Sequence, residues 1–418
     1  MFIALLGVLS LSISAWAQVS PQTKGNQTSA ISLEALQAEV LEVHPEIQAA
    51  RLKMESAKEE IPQADSLEDP TFAVTQWAIP SLSQPGNAEE TWYGVSQSLP
   101  FPGKRALQRD VATSDAFAAE QAFHGKIREL MARVKVAFYQ LFLADKSVLL
   151  YLEHQTLLEE FIKIATKKYA MGQVSQQEIL MARLELTKLH TSLLVLEQER
   201  LGVRAQINTL RNRTPDNPIV QTENLAYRPF PLSINDLTQR AMARQPELSA
   251  ARFMIEKSQH TRALANKNRL PDFMVETAYM DFHTDSNAWM LSVKINLPWL
   301  FTAKYDAQTR QAALREAEAR ADYATLQNQT LFEVQNLFTK VKTSETRIEA
   351  YQKGLLPQAE QMLAAAQIGY QSGKVSFLDL IESERARLDF QMEYFGVLVQ
   401  FFDAVAQLEH AVGEEIKF

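Results

Sequence analysis

An internal duplication constrains the fold of this chain more than any other feature. The segment 169–179 returns 201 positions later as 370–380, and both copies carry the pattern Tyr-x-x-Gly-x-Val-Ser. The same shift places 44–51 on 245–252, so the similarity spans most of the 418 residues. Each half is therefore expected to contain the same elements in the same order.

Composition and charge exclude several classes of function. The formal net charge is −8 at pH 7, whereas a nucleic-acid partner would require a basic stripe. The chain has no cysteine, which excludes thiolate metal sites and disulfides. Its 7 histidines lack metal-ligand spacing, and no phosphate-binding glycine loop or Gly-x-Ser-x-Gly turn occurs. We therefore expect no cofactor, no metal site and no catalytic centre, and the chain is not predicted to be an enzyme.

The N-terminus predicts export. Residues 1–17 are almost wholly apolar and end in Ala15-Trp16-Ala17, the small-x-small pattern of a signal-peptidase site. No Lys or Arg precedes the apolar run, so a buried N-terminal helix stays open as the alternative. Residues 18–31 read as a polar linker. No later run approaches the ~20 apolar residues that a membrane-spanning helix needs.

Each repeat reads as helix, strand, strand, long helix, tight turn and helix. The first repeat is placed at 32–212 and the second at 233–418, with a proline-rich linker at 213–232. The first helix of each repeat is expected to begin at a capping serine and to be divided by a proline. These residues are Ser32 and Pro45 in the first repeat, and Ser233 and Pro246 in the second. The strands are predicted at about 71–79, 90–99, 272–281 and 288–297.

The last predicted strand alternates with a period of two, which is typical of β-structure. Trp289, Leu291, Val293 and Ile295 share one face, and its length fits the ~9–11 residues of a tilted membrane-spanning strand. Aromatic residues of the kind found at membrane interfaces occur in or beside the strands, namely Trp77, Trp92, Tyr93, Tyr279 and Trp289. A soluble hairpin with one buried face is the alternative.

Long helices are predicted to follow the strands. Residues 104–169 contain no proline and only Gly125, and a helix of that length would span ~100 Å. The copy, 303–370, contains Gly354 and Pro357, which predict a kink or local loosening. In the returning helix apolar residues recur every seven positions, which predicts a left-handed supercoil. They are Ile179, Leu186, Leu193 and Ile207 in one row, and Ala182, Leu189, Leu196, Val203 and Leu210 in the other.

The repeated turn motif has a complete structural interpretation. Its glycines take the left-handed position that ends a helix, and its serines cap the next helix with an acidic residue three positions on. The residues are Gly172, Ser175 and Glu178 in the first repeat, and Gly373, Ser376 and Asp379 in the second. Two antiparallel helical hairpins are expected, with tips at 172–175 and 373–376.

Four strands in one chain cannot close a barrel, and a membrane does not tolerate open sheet edges. Two chains would give eight strands, whose interior is filled by side chains, whereas three would give twelve strands and leave a lumen. A membrane-inserted form is therefore expected to be at least a trimer.

Three further segments carry a resemblance to a known family. They are Leu-Pro-Phe-Pro-Gly-Lys-Arg at 99–105, Leu-Pro-Gln-Ala-Glu-Gln at 356–361, and 369–380 around the second turn motif. With the duplication, they make the chain resemble the TolC-like outer-membrane efflux proteins, also called outer membrane factors. The first segment is most similar to the heavy-metal cation-efflux branch.

The resemblance implies a fold and a set of partners. The fold would be mainly α with a small β part, a duplicated α-β-β-α-α unit whose four strands join a trimeric 12-stranded barrel in the outer membrane. A long helical coiled-coil tube would continue the barrel into the periplasm. The partners would be two further copies, a periplasmic adaptor, an inner-membrane pump of RND type and outer-membrane lipid. Such a duct would conduct substrate passively, with heavy-metal cations as one candidate substrate.

The resemblance also implies roles for residues near the tips. Asp379 and Glu382 match an acidic ring that constricts the periplasmic entrance, although Asp379 could equally serve only as a capping residue. Val375 occupies the position of the family's basic gate-linking residue. The positions where adaptors dock are matched by Tyr169, Gly172, Val174, Ser175, Tyr370, Gly373, Val375 and Ser376. A periplasmic adaptor and a soluble coiled-coil scaffold without a pore remain as alternative functions.

Overall fold

The computed structural model describes residues 31–79, 88–219, 222–282 and 286–416. The predicted signal peptide and nearly all of the linker after it lie outside the described residues.

Both repeats contain the same elements in the same order, as the duplication predicted. The first repeat consists of α1 (Leu33–Val43), α2 (Pro45–Asp65), β1 (Thr71–Trp77), β2 (Glu90–Leu99), α3 (Lys104–Ala170) and α4 (Gln176–Leu210). The second consists of α5 (Ile234–Arg244), α6 (Pro246–Lys267), β3 (Phe273–Phe282), β4 (Ala288–Ile295), α7 (Thr302–Ala350), α8 (Leu356–Gln371) and α9 (Phe377–Val412). A 3-10 turn at Pro298–Phe301 precedes α7, and a π-helical segment at Tyr351–Leu355 separates α7 from α8.

The short first helices begin and break where the sequence predicts. Ser32 accepts a hydrogen bond from the Ala35 amide, and Ser233 forms a complete capping box with Asp236. Each proline then opens the second piece, α2 or α6, at its first helical position. Proline is tolerated there because the first amides of a helix have no intrahelical partner.

The four described strands form one antiparallel sheet in the order β1-β2-β3-β4. The two hairpins meet through β2 and β3, with Leu99 opposite Phe273 and Glu90 opposite Phe282. β1 ends at Trp77, two residues before its predicted end, because Ala78 has a left-handed φ of 54°. β4 likewise ends two residues early, where the chain turns into the 3-10 segment.

The helices form a layer that continues from the sheet. α3 has 67 residues, a length of ~100 Å, and packs against α2 and α6 near the sheet and against α4 and α9 further away. The main core includes Phe138 and Phe142 of α3 and Phe401 of α9. A second core joins the two hairpins near their tips. None of the described helices combines the length and the apolar composition that a membrane-spanning helix requires.

The predicted loosening of the second long helix is confirmed as the π-helical segment. Pro357 has no amide hydrogen and cannot make the normal bond to the fourth residue before it, which favours a local change of helical hydrogen bonding. The segment is held in place from α9, since the Tyr351 hydroxyl donates to the Glu393 carboxylate and the Gln352 side-chain amide donates to the Tyr394 hydroxyl.

Candidate functional site: the sheet and the helical tips

Strand register gives the sheet two different faces. One, the apolar face, carries Phe72, Val74, Tyr93, Val95, Phe273, Val275, Tyr279, Trp289, Leu291, Val293 and Ile295. Polar side chains on this face are Gln97 and Thr277. Gln76, Thr91 and Asp281 are also polar, and they lie opposite one another at the end of the sheet nearest the hairpin loops. Trp289 and Leu291 are each 75% exposed, and no helix of the described chain covers this face. A soluble hairpin would bury it, so the face points to a membrane.

The other face of the sheet, the mixed face, carries small, hydroxyl and charged side chains among its larger ones. Ser96 lies opposite Glu276, which in turn lies opposite Ser292 and forms an ion pair with Lys294. Successive side chains of a strand point to opposite sides of the sheet. Charged side chains are therefore tolerated on this face, because it lies away from the surroundings of the apolar face.

Aromatic residues mark both ends of the apolar face. Tyr93, Tyr279 and Trp289 lie opposite one another at the loop end of the sheet. At the helix end, Trp299 and Phe301 are exposed in the 3-10 turn. This second pair was missed from the sequence, although the run Trp-Leu-Phe after Pro298 is a signal for it. Paired aromatic belts are typical of the two interfaces of a membrane.

An ion pair between a buried lysine and a partly exposed aspartate joins the two repeats where the sheet meets the helices. Lys104, 4% exposed, places its ammonium 2.8 and 3.0 Å from the Asp272 carboxylate oxygens and 3.0 Å from the Leu270 carbonyl. Asp272 also accepts from the Phe101 amide at 2.8 Å. Gly103 has a φ of 87°, so a side chain there would be strained. The Leu-Pro-Phe-Pro-Gly-Lys segment thus fastens the first repeat to the second.

The two tips have the predicted turns. Gly172 and Gly373 adopt left-handed φ values of 72° and 74°. In each tip the following amide donates back to the helix, Gln173 to Lys168 at 2.9 Å and Lys374 to Gly369 at 2.8 Å. These bonds close the helix ends in the Schellman arrangement.

The predicted capping boxes differ between the repeats. Ser376 and Asp379 form theirs, with amide-to-side-chain distances of 3.2 and 3.3 Å. The box predicted for Ser175 and Glu178 is wrong, because Ser175 makes no side-chain cap bond and Glu178 instead accepts from the Tyr370 hydroxyl at 3.3 Å.

Tyr370 lies between the hairpins rather than at the surface. It is 3% exposed, packs edge-on against Phe377, and lies beneath the Lys168 ammonium, 4.4 Å from the ring centroid. Burial and the nearby Glu178 carboxylate raise the pKa of Tyr370 to about 12, so its hydroxyl stays protonated and donates. Its side chain is therefore absent from the exposed tip surface. Of the other positions predicted for docking, Val174 and Val375 are half-buried, and Tyr169, Gly172, Ser175, Gly373 and Ser376 are exposed.

The two predicted acidic residues lie one turn apart on α9. Asp379 and Glu382 are both exposed, and Glu382 makes no hydrogen bond or ion pair with any described residue. Arg385, one further turn along, instead binds Glu185 of α4, with 2.8 Å between Nε and Oε1. The described residues contain no group of three side chains that could hold a metal ion. Asp379 and Glu382 give this end of α9 an exposed acidic surface.

Comparison with known proteins identifies the family. The family model described as outer membrane efflux protein matches residues 36–212 and again residues 237–414. The chain belongs to this family. The resemblance found in the sequence is thus confirmed, and the family is one of efflux proteins rather than enzymes. The family places the protein in the outer membrane.

Individual relatives agree with the family in sequence and fold. The cobalt-zinc-cadmium resistance protein CzcC of Cupriavidus metallidurans is 24% identical over 319 residues, 74% of either chain. The outer membrane protein VceC of Vibrio cholerae has a TM-score of 0.77 and 20% identity, over 92% of this chain and 97% of its own. The open state of the MtrE outer membrane channel of Neisseria gonorrhoeae has a TM-score of 0.77 and 17% sequence identity, over 92% of this chain and 89% of its own. The predicted mainly α fold, with a duplicated α-β-β-α-α unit and four strands in each chain, is confirmed.

Proposed function

We propose that this chain is one third of a passive exit duct, completed by two further copies around a common axis. The supporting observation is that the same two sides of the chain stay open in the sheet and in the helices. β1 and β4 each have one strand partner among the described residues. α2 and α4 pack mainly on α3, while α7 and α8 border the opposite side.

These open sides carry exposed apolar side chains on the helices as well as on the strands. They include Leu52 of α2, Leu194 and Leu201 of α4, Phe332 of α7 and Ile368 of α8. Such side chains on unpartnered helices favour contact with another copy. Three copies place the apolar face against lipid and the mixed face around a lumen, whereas two would leave an interior filled by side chains.

The exit duct supplies no energy for transport. An inner-membrane pump of RND type supplies the substrate, and a periplasmic adaptor docks at the exposed tip residues. Asp379 and Glu382 of three copies form an acidic constriction that favours cations. Heavy-metal cations are the proposed cargo because CzcC is named for cobalt, zinc and cadmium resistance. Gene deletion should then sensitise cells to these metals rather than to dyes.

A periplasmic adaptor or a poreless scaffold fits less well. Neither function accounts for an uncovered apolar sheet face bordered by aromatic residues at both ends.

Introduced cysteines test the assembly, because the natural chain has none. Phe72→Cys or Val74→Cys on β1 is combined with Leu291→Cys, Val293→Cys or Ile295→Cys on β4, and the protein is oxidised in outer membranes. Since β1 and β4 are separated by two strands within a chain, a disulfide must join two copies. At least one combination should give covalently linked trimers on denaturing gels.

The matched control combines Val95→Cys with Val293→Cys. β2 is an inner strand, so neither a neighbouring copy nor its own β4 can reach it. A protein that stays monomeric with every β1–β4 pair, and conducts no ions in bilayers, contradicts the proposal.

A further inference from the structure

Arg385 binds an acidic residue on another helix although two acidic residues flank it on its own. Glu382 lies three positions before it on α9 and Asp389 four positions after it, both within electrostatic range. Salt bridges at these spacings are common on helices. The guanidinium nevertheless makes both of its described side-chain bonds to Glu185 of α4, through Nε and Nη2.

The environment of Glu185 explains this preference. Its side chain is 14% exposed, against 42% for Arg385, so the pair is sheltered at the carboxylate and open at the guanidinium. The two parallel bonds match the planar fork of arginine to a carboxylate, which makes the contact stronger than a single-point pair. Hydrogen bonding to Arg385 lowers the pKa of Glu185, with Lys188 contributing at 3.8 Å, so the carboxylate stays ionised.

We propose that Glu185 is a positioning residue for the entrance constriction, holding Arg385 away from Glu382 so that the acidic charge there stays uncompensated. The inference rests on the proposed duct. The same two bonds tie α9 to α4 close to the tips, so they also restrain the separation of the helices. In a trimer the contact occurs three times, and three guanidinium groups are withheld from the axis.

Ion selectivity of the assembled protein tests this. Trimers are reconstituted into planar bilayers under a potassium chloride gradient, and the reversal potential gives the potassium-to-chloride permeability ratio. Glu185→Gln releases Arg385 to pair with Glu382, one of the two acidic charges that each copy contributes. The permeability ratio should fall by at least about twofold, since half of the acidic charge is neutralised and the ratio depends more than linearly on that charge.

Two companion variants separate charge from packing. Lys188→Gln removes the other cation near Glu185 without freeing Arg385, and should leave the ratio unchanged. The exchange Glu185→Arg with Arg385→Glu keeps an ion pair between α4 and α9 but moves the carboxylate to α9. Its permeability ratio should exceed that of the unmodified protein.

The outcomes distinguish this inference from the duct itself. If the unmodified protein forms no conducting trimer, the proposed function fails. If it conducts and Glu185→Gln assembles with an unchanged permeability ratio, the positioning role is overturned. If Glu185→Gln does not assemble, the exchange variant decides, and a ratio at or below the original value overturns the role.

Discussion

At the scale of single residues, two ion pairs connect charged side chains of one repeat with those of the other. Lys104 and Asp272 lie 168 positions apart, and Arg385 and Glu185 lie 200 positions apart. Both pairs join elements that are distant in the chain but adjacent in the fold. They therefore add to the strand pairing and the shared cores that hold the repeats together.

Removing either partner of the Lys104–Asp272 pair should have unequal effects. Asp272→Asn leaves the Lys104 side chain, which is only 6% exposed, without its counter-ion, and should lower the free energy of unfolding by about 3–5 kcal/mol. Lys104→Met leaves a carboxylate that water can reach, and should cost about 1–3 kcal/mol. Thermal unfolding in detergent compares the two. A larger loss for Lys104→Met would contradict this description of the junction.

Asp403 of α9 should make stability depend on pH. Burial raises its pKa from 3.8 to about 7, and its Oδ1 has no hydrogen-bond partner in the described part of the chain. It borders a cavity between α7 and α9 that Lys340 and Arg347 also line. A raised carboxyl pKa favours folding at low pH, and this contribution is lost as pH rises through 7.

Asp403→Asn should therefore weaken the pH dependence. The unmodified protein is expected to gain thermal stability, relative to the variant, when the pH is lowered from 8 to 5. Asp389→Asn, at an exposed position of the same helix, is the control and should leave the dependence unchanged. Identical pH profiles for Asp403→Asn and the unmodified protein would refute the prediction.

At the scale of elements, the second long hairpin uses its glycines in different ways. A Cβ at Gly354, in the π-helical segment, would meet nothing within 4 Å, whereas one at Gly369 would collide with the Val375 side chain. Gly373 has a positive φ that only glycine adopts readily. The glycines of α8 and its turn are thus constrained by packing and conformation, but Gly354 is not.

Alanine substitutions should separate these roles. Gly354→Ala is expected to stabilise the folded protein by about 0.5–1 kcal/mol, because alanine restricts the unfolded chain and fits the helix. Gly369→Ala should destabilise it by about 1–3 kcal/mol through overpacking against Val375. Unfolding temperatures of the two variants provide the test. Equal shifts in the same direction would show that the tip can relax around the added methyl group.

At the scale of the whole molecule, the two faces of the sheet set its orientation in the membrane. Leu291 and Ser292 are neighbours in β4 but lie on the apolar and the mixed face, respectively. The same substitution therefore places a side chain toward lipid at Leu291 and toward the proposed lumen at Ser292.

Leu291→Arg should destabilise the membrane-inserted protein by about 2–4 kcal/mol, because it places a cation among lipid chains. Ser292→Arg should be tolerated, since it faces Glu276 across the strands. The yield of heat-modifiable trimers in outer-membrane fractions compares them. Equal yields would show that the faces have been assigned to the wrong surroundings.

Much of the architecture follows from the sequence because its determinants are local or periodic. Three features depend on residues that are close in the chain. They are the helix breaks at Pro45 and Pro246, the left-handed turns at Gly172 and Gly373, and the alternation of β4. Duplication strengthened the predictions of the helix breaks and the turns, since those patterns occurred twice. The signal peptide, the acidic ring and the docking positions stay predictions.

What only the tertiary structure decided is the choice of partners across the repeats. Periodicity gives the face on which a side chain lies, but not which helix packs there or how far along it. For that reason Glu178 looked like a capping residue and Tyr370 like a surface residue, whereas packing of the hairpins brought them together. The sequence by itself determined the elements and their order, because backbone preferences act over a few residues. The contacts that join the repeats depend on packing between segments roughly 200 positions apart, which only the folded chain brings together.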